Sequence, residues 1–164
     1  MNKNSRLLPP SADGVLETAI YTDDLEAARN FYGGCLGFEE VIAEEDTLVF
    51  FRCGSTIVLV FNPEQTKLQP FAPPARPIPG HGAIGKGHIC FQAPGKKLDQ
   101  WKQYLIANGI SIESEITWAN GARSIYFRDP AGNSLEFAQP RLWGYDEEGH
   151  QMKAEPNVIL ESGV

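Results

Sequence analysis

One supersecondary unit, read twice, constrains this chain more than anything else in it. Residues 14–22, "GVLETAIYT", alternate as a strand does, with Leu16, Thr18 and Ile20 on one face and Glu17, Ala19 and Tyr21 on the other. Asp23 and Asp24 supply helix-start chemistry. Leu25, Ala28, Phe31, Tyr32 and Leu36 then form an apolar helical stripe that Gly37 stops. Strands are expected around 38–43, 47–52 and 56–61. The order β-α-β-β-β then recurs. "HICFQ" at 88–92 is a strand, and Leu98, Trp101, Leu105 and Ile106 mark a helix closed by Asn108-Gly109. Strands are expected again near 110–116, 123–128 and 134–138. "VFFRCGSTIVLVFNP" and "IYFRDPAGNSLEFAQP" each place a Phe-Arg pair before the last hairpin turn and end on Pro. Such a repeat predicts an α+β fold of two βαβββ modules, each burying its helix on its own sheet.

The modules span 14–62 and 88–140, between an N-terminal segment 1–13 and a tail 141–164. The connecting loop, 63–87, is rich in Pro and Gly, so it is expected to lack regular structure and to act as a functional loop or linker. The tail is polar apart from Leu142-Trp143 and Val158-Ile159-Leu160 and is expected to be ordered at most in part.

A chain of 164 residues can bury one substantial core, and a net charge of −7 without a basic stripe argues against nucleic acid. Leu7-Leu8 is too short an apolar run for a signal peptide, and no segment is apolar enough to span a bilayer. Cys35, Cys53 and Cys90 are an odd number without a Cys-x-x-Cys pair, which fits reduced thiols in a cytoplasmic protein.

Glu136 interrupts an otherwise apolar return strand, Leu135-Glu136-Phe137-Ala138. If the apolar side chains of each strand meet a helix, Glu17, His88, Tyr126 and Glu136 point to the opposite, concave face. Glu17 and His88 hold the same place in the first strand of their modules. Singly, a strand glutamate is a solvated residue and a lone histidine a surface one. Together, two carboxylates and an imidazole on three strands form a facial set suited to Mn²⁺, Fe²⁺, Co²⁺, Ni²⁺ or Zn²⁺. Cys90 reads as pocket lining and His81 as a solvated loop histidine rather than a mobile acid–base group.

The segments "LETAIYTDDLEAARNFYGGCLGFEEV", "GKGHICFQAP" and "RSIYFRDPAGNSLEF" resemble the vicinal oxygen chelate superfamily, which includes glyoxalase I, extradiol dioxygenases and bleomycin-binding proteins. The resemblance implies two modules forming an eight-stranded cup-shaped mixed sheet around one divalent metal. His88 and Glu136 match ligand positions, and Glu17 stands at a first position that is more often His. A fourth ligand, usual in glyoxalase I, would fall at Val58 or Leu59, which cannot supply it. The implied function is a lyase- or isomerase-like metal enzyme that chelates a small oxygenated substrate and stabilises an enolate or alkoxide, with Glu17 and Tyr126 as catalytic candidates. The alternatives are an extradiol-type dioxygenase, which Glu17 makes less favoured, and a non-catalytic bleomycin-type binder. A homodimer is also implied, Glu17 coming from one subunit and His88 with Glu136 from the other.

Overall fold

Eight short strands stand as two sheets of four. In the first, β1 (Glu17–Tyr21), β2 (Glu39–Glu44), β3 (Leu48–Cys53) and β4 (Thr56–Phe61) are ordered β1-β4-β3-β2. In the second, β5 (His88–Gln92), β6 (Ser114–Thr117), β7 (Arg123–Arg128) and β8 (Ser134–Ala138) repeat that order as β5-β8-β7-β6. Each sheet is mixed: β1 runs parallel to β4 and β5 parallel to β8, whereas the hairpins are antiparallel. The structure, a computed structural model, describes residues 9–68 and 77–152. Val158–Leu160 and the middle of the connecting loop lie outside them.

Asp24 opens α1 (Leu25–Ala28), its carboxylate accepting from the Ala27 N–H at 2.8 Å. The stripe then departs from a regular α-helix. Arg29–Cys35 winds as a π-helix, the Leu36 N–H reaching the Phe31 carbonyl at 2.8 Å. The residues of the stripe are nonetheless buried, Phe31 and Tyr32 together with Ala28 and Leu36. Phe31 packs towards Phe127 of the other module, and Tyr32 lies against Phe51 of its own. The helix of the second module, α3 (Lys97–Ala107), buries Leu98 and Leu105 and stacks Trp101 on Phe137, ring centroids 4.4 Å apart. Ile106, expected on its apolar face, is exposed.

One core joins the modules. Ile20, Val49, Phe51, Val58 and Val60 from the first sheet meet Ile89, Phe91, Ile125, Phe127, Leu135 and Phe137 from the second, with both helices among them. Leu16 does not take part: it precedes β1 and is 76% exposed. The sixth strand is shorter than 110–116 because Ile110 and Ile112 turn back from α3 to pack on this core before pairing begins. The repeated Phe-Arg pairs have matching outcomes, Arg52 binding Glu39 and Arg128 binding Glu113 on the surface. Exposed pairs of this kind contribute little to stability.

The connecting loop is more regular than its composition suggests. Asn62 accepts from the Glu64 N–H and Pro63 occupies the first helical turn, so Pro63–Thr66 forms a short helix, α2. In the tail, Pro140–Trp143 forms a 3₁₀ turn, and Tyr145 bridges to Gln151. No helix among the described residues is long and apolar enough to cross a membrane.

Candidate metal centre

Alternation on β5, β7 and β8 decides which side chains leave the core. Ile89, Phe91, Ile125, Phe127, Leu135 and Phe137 face it, so His88, Cys90, Tyr126 and Glu136 share the other side of the sheet. Glu136 is the Cα partner of both Cys90 and Tyr126, which places it between them at the centre of the face. Its side chain is 6% exposed, against 50% for His88. The His88 Nε2 lies 3.4 Å from Glu136 Oε2, and the His88 and Tyr126 rings stack with centroids 6.4 Å apart.

Two features of this pair suit a cation. The His88 Nδ1 is 3.1 Å from the Ser134 carbonyl, which accepts and cannot donate, so the neutral ring carries its proton on Nδ1. Its Nε2 lone pair then faces a carboxylate oxygen, an arrangement that a shared cation satisfies. The second feature is Glu136 Oε1, which is buried and, among the described residues, makes no hydrogen bond of good geometry, although the Tyr126 hydroxyl and Cys90 thiol stand beside the carboxylate. A buried charged oxygen without a partner is costly unless a ligand supplies one.

The neighbours answer to the same carboxylate. Burial of its sulfur against the sheet, reinforced by Glu136, pushes the Cys90 thiol well above the ordinary range, which favours the protonated form. Burial and then Glu136 push the Tyr126 phenol up to about 12, which keeps it a hydrogen-bond donor at neutral pH.

Glu17 begins β1 as His88 begins β5, and it is exposed. Ala19 pairs with Leu59 as Cys90 pairs with Glu136, so Leu59 is the counterpart of Glu136, and Val58 belongs to the core. The first module's open face is apolar: Leu48, Leu59 and Phe61 pack with Tyr21, Phe50 and Ile57. His81 covers part of it instead of standing in solvent. Thr66 clamps its backbone, taking its N–H at 2.9 Å and donating to its carbonyl at 2.7 Å. The ring sits 4.7 Å from that of Phe61, and Nδ1 lies 2.9 Å from the Tyr21 hydroxyl.

Within one chain Glu17 does not join His88 and Glu136. Among the described residues, three potential ligand atoms come within 4.8 Å of one another only at Asp146, Glu148 and His150. Those sit in the tail turn, where Asp146 already accepts from the Glu148 and His150 N–H groups. Sequence reading also missed the residues beneath His88. Ser134 and Asn133 look like turn filler in "DPAGNS", and the one available signal was an Asp and an Asn flanking a Pro-x-Gly turn.

Comparison with known proteins places these features in a family. Residues 14–137 match the model of the Glyoxalase/Bleomycin resistance protein/Dioxygenase superfamily. The chain is similar to a lactoylglutathione lyase from Agrobacterium tumefaciens, with 44% identity over 84% of this chain and 100% of that one, at a TM-score of 0.75. It also resembles virulence protein STM3117 from Salmonella typhimurium, at 25% identity over 79% and 98% of the two chains and a TM-score of 0.59. A glyoxalase/dioxygenase from Nostoc punctiforme shares the fold at 23% identity, covering 84% and 98%, with a TM-score of 0.58. No curated protein sequence matches significantly. The chain belongs to the glyoxalase/bleomycin resistance protein/dioxygenase superfamily.

Proposed function

We propose that this protein is a divalent-metal enzyme of the glyoxalase kind, acting on a small molecule with two adjacent oxygens. The observation that carries the reading is the Glu136 carboxylate, buried with Oε1 unpartnered among the described residues and Oε2 3.4 Å from His88 Nε2, on a ring whose Nδ1 is bonded to the Ser134 carbonyl. Similarity to a lactoylglutathione lyase supports a lyase or isomerase over a ring-cleaving dioxygenase.

His88 and Glu136 would hold the metal, with Glu17 from a second copy as third ligand. Support for a shared site comes from the edges. The first residues of β1 and β5 are Glu17 and His88, and both strands are the outer strands of their sheets. Because both apolar faces turn to one common core, the faces bearing Glu17 and His88 turn away from each other. Pairing β1 of one copy with β5 of another satisfies two open edges and brings Glu17 beside His88.

When bound, a divalent metal supplies Lewis-acid polarisation of the substrate's two oxygens. The rest is work for the chain. Tyr126, kept protonated, donates to a substrate oxygen as negative charge develops on it. Glu17 takes a proton from the carbon beside the polarised carbonyl and returns it to the neighbouring carbon. The apolar set Tyr21, Phe50, Leu59 and Phe61 excludes water from that transfer.

The test supplies the hemithioacetal of methylglyoxal and glutathione to protein loaded with Mn²⁺, Fe²⁺, Co²⁺, Ni²⁺ or Zn²⁺, and follows the thioester product. Turnover by at least one metal form is expected, falling by about 10²–10⁴-fold in Glu17→Gln. Metal uptake without turnover of this or any related hydroxy-carbonyl compound would favour the binding-protein alternative.

A further inference from the structure

The turn before β8 does more than reverse the chain. Asn133 is 2% exposed and makes a hydrogen bond from each polar end of its side chain to a different part of the fold. Its Oδ1 accepts from the Gly87 N–H at 2.7 Å, immediately before His88. Its Nδ2 donates to the Tyr21 carbonyl at 3.2 Å, at the end of β1 in the other module, and to Asp129 Oδ2 at 2.8 Å. Asp129 in turn accepts from the Tyr32 hydroxyl at 2.9 Å, on the π-helix of the first module, and from the Asn133 N–H at 2.8 Å.

Ser134 completes the grip. Its N–H donates to the Gly87 carbonyl at 2.9 Å, and its carbonyl holds His88 Nδ1. Gly87 is therefore bound on both its N–H and its carbonyl, and His88 on its ring. A Cβ at Gly87 would meet Asn133 Oδ1 and Ile20 Cγ1 at 3.4 Å, ordinary van der Waals contact, so Gly87 is packed directly between Asn133 and β1 and is held by its backbone bonds. One buried amide thus ties β1, which begins with Glu17, to the residue that launches His88.

We propose that Asn133, oriented by Asp129, is a positioning residue for the metal half-site. It sets the place of His88 through Gly87, and it sets the angle of β1 through Tyr21, so that the two edge strands bearing site residues move as one body. The effect on metal affinity rests on the proposed metal site; the effect on local order does not.

The experiment compares wild type with Asn133→Ala, Asn133→Ser, which keeps a polar turn residue but loses the amide's reach to Gly87 and Tyr21, and a control, Leu105→Ala, which truncates the core at the C-terminal end of α3 and touches none of these bonds. Two readouts are taken well below the midpoint of unfolding: Co²⁺ affinity from its visible absorption, and backbone hydrogen exchange in metal-free protein. The expected result is a loss of Co²⁺ affinity of about 10- to 100-fold in Asn133→Ala, the range for removing a group that orients a ligand. Leu105→Ala should bind Co²⁺ as wild type does even where it unfolds at the same temperature as Asn133→Ala. Exchange should accelerate at residues 87–90 and 21–22 in Asn133→Ala and Asn133→Ser, and not there in Leu105→Ala. If Asn133→Ala does not fold, Asn133→Ser decides by the same two readouts. Equal loss of affinity in the control, or acceleration spread evenly over the chain, would overturn the proposal. Should wild type take up no Co²⁺, the metal reading fails, and the exchange pattern alone upholds or overturns the positioning role.

Discussion

Subunits carrying Glu17→Ala and subunits carrying His88→Ala, each unable to hold metal alone, are expected to recover binding when unfolded together and refolded as a mixture. The His88→Ala chain still offers Glu17, and the Glu17→Ala chain still offers His88 with Glu136. Random pairing makes half the dimers mixed, and each mixed dimer holds one complete site and one doubly broken one. Recovery of about one quarter of the wild-type metal content follows from two-fold symmetry. Equilibrium dialysis against Co²⁺ or Zn²⁺ measures it. Recovery is expected because the donors of one chain are apart: Glu17 lies on the open face of one sheet and His88 on that of the other, with the shared core between. If the site were built within a single chain, every subunit of the mixture would lack a ligand and recovery would be absent.

Glu136→Leu is expected to stabilise the metal-free protein while abolishing metal binding. The wild-type carboxylate is buried with one oxygen unpartnered among the described residues, and its strand neighbours Leu135, Phe137 and Ala138 are apolar. An unsatisfied buried polar group costs about 1–3 kcal/mol. In a chain of this size each kcal/mol moves the melting temperature by about 2–4 °C, so a rise of several degrees is expected. Metal affinity should fall by at least about 100-fold, because the loss is of a ligand and not of a supporting group. The opposite signs distinguish a functional carboxylate from a structural one. If Glu136 instead held the fold together, Glu136→Leu would melt lower than wild type. Differential scanning calorimetry on metal-free protein separates the two.

The fold was legible because its signals are local and occur twice. Alternation on β7 and β8 assigns Ile125, Phe127, Leu135 and Phe137 to the core and leaves Tyr126 and Glu136 on the open face, as the structure has them. Asp24, Gly37 and Asn108-Gly109 act at the helix ends where their chemistry suggests. Each departure has a tertiary cause. The stripe through Phe31 and Tyr32 was legible, whereas the π-helical winding of Arg29–Cys35 was not: there Phe31 contacts the second module's Phe127 and Tyr32 its own module's Phe51. His81 is fixed by Thr66, fifteen positions before it, and by aromatic rings that only the folded first module brings together. The choice between Val58 and Leu59 is a matter of register, settled by the pairing of Ala19 with Leu59.

The polar half of the candidate site was legible and its support was not. Glu136 stands out because it breaks an apolar strand, and His88 because it holds the place of Glu17 in the repeated first strand. Asn133 and Asp129 do not stand out, since turn propensity already accounts for both residue types. Their partners lie 46 residues away at Gly87, 97 at Tyr32 and 112 at Tyr21, contacts of a range that one sequence does not reveal.

The central claim is that Glu136 is a metal ligand, and metal content tests it most directly. Untagged wild-type protein and Glu136→Ala, purified side by side without chelator, are measured by plasma mass spectrometry. The account predicts about one transition metal per subunit in wild type and none in the variant. Wild-type protein that carries no metal, and takes up none from added Mn²⁺, Fe²⁺, Co²⁺, Ni²⁺ or Zn²⁺, would contradict it.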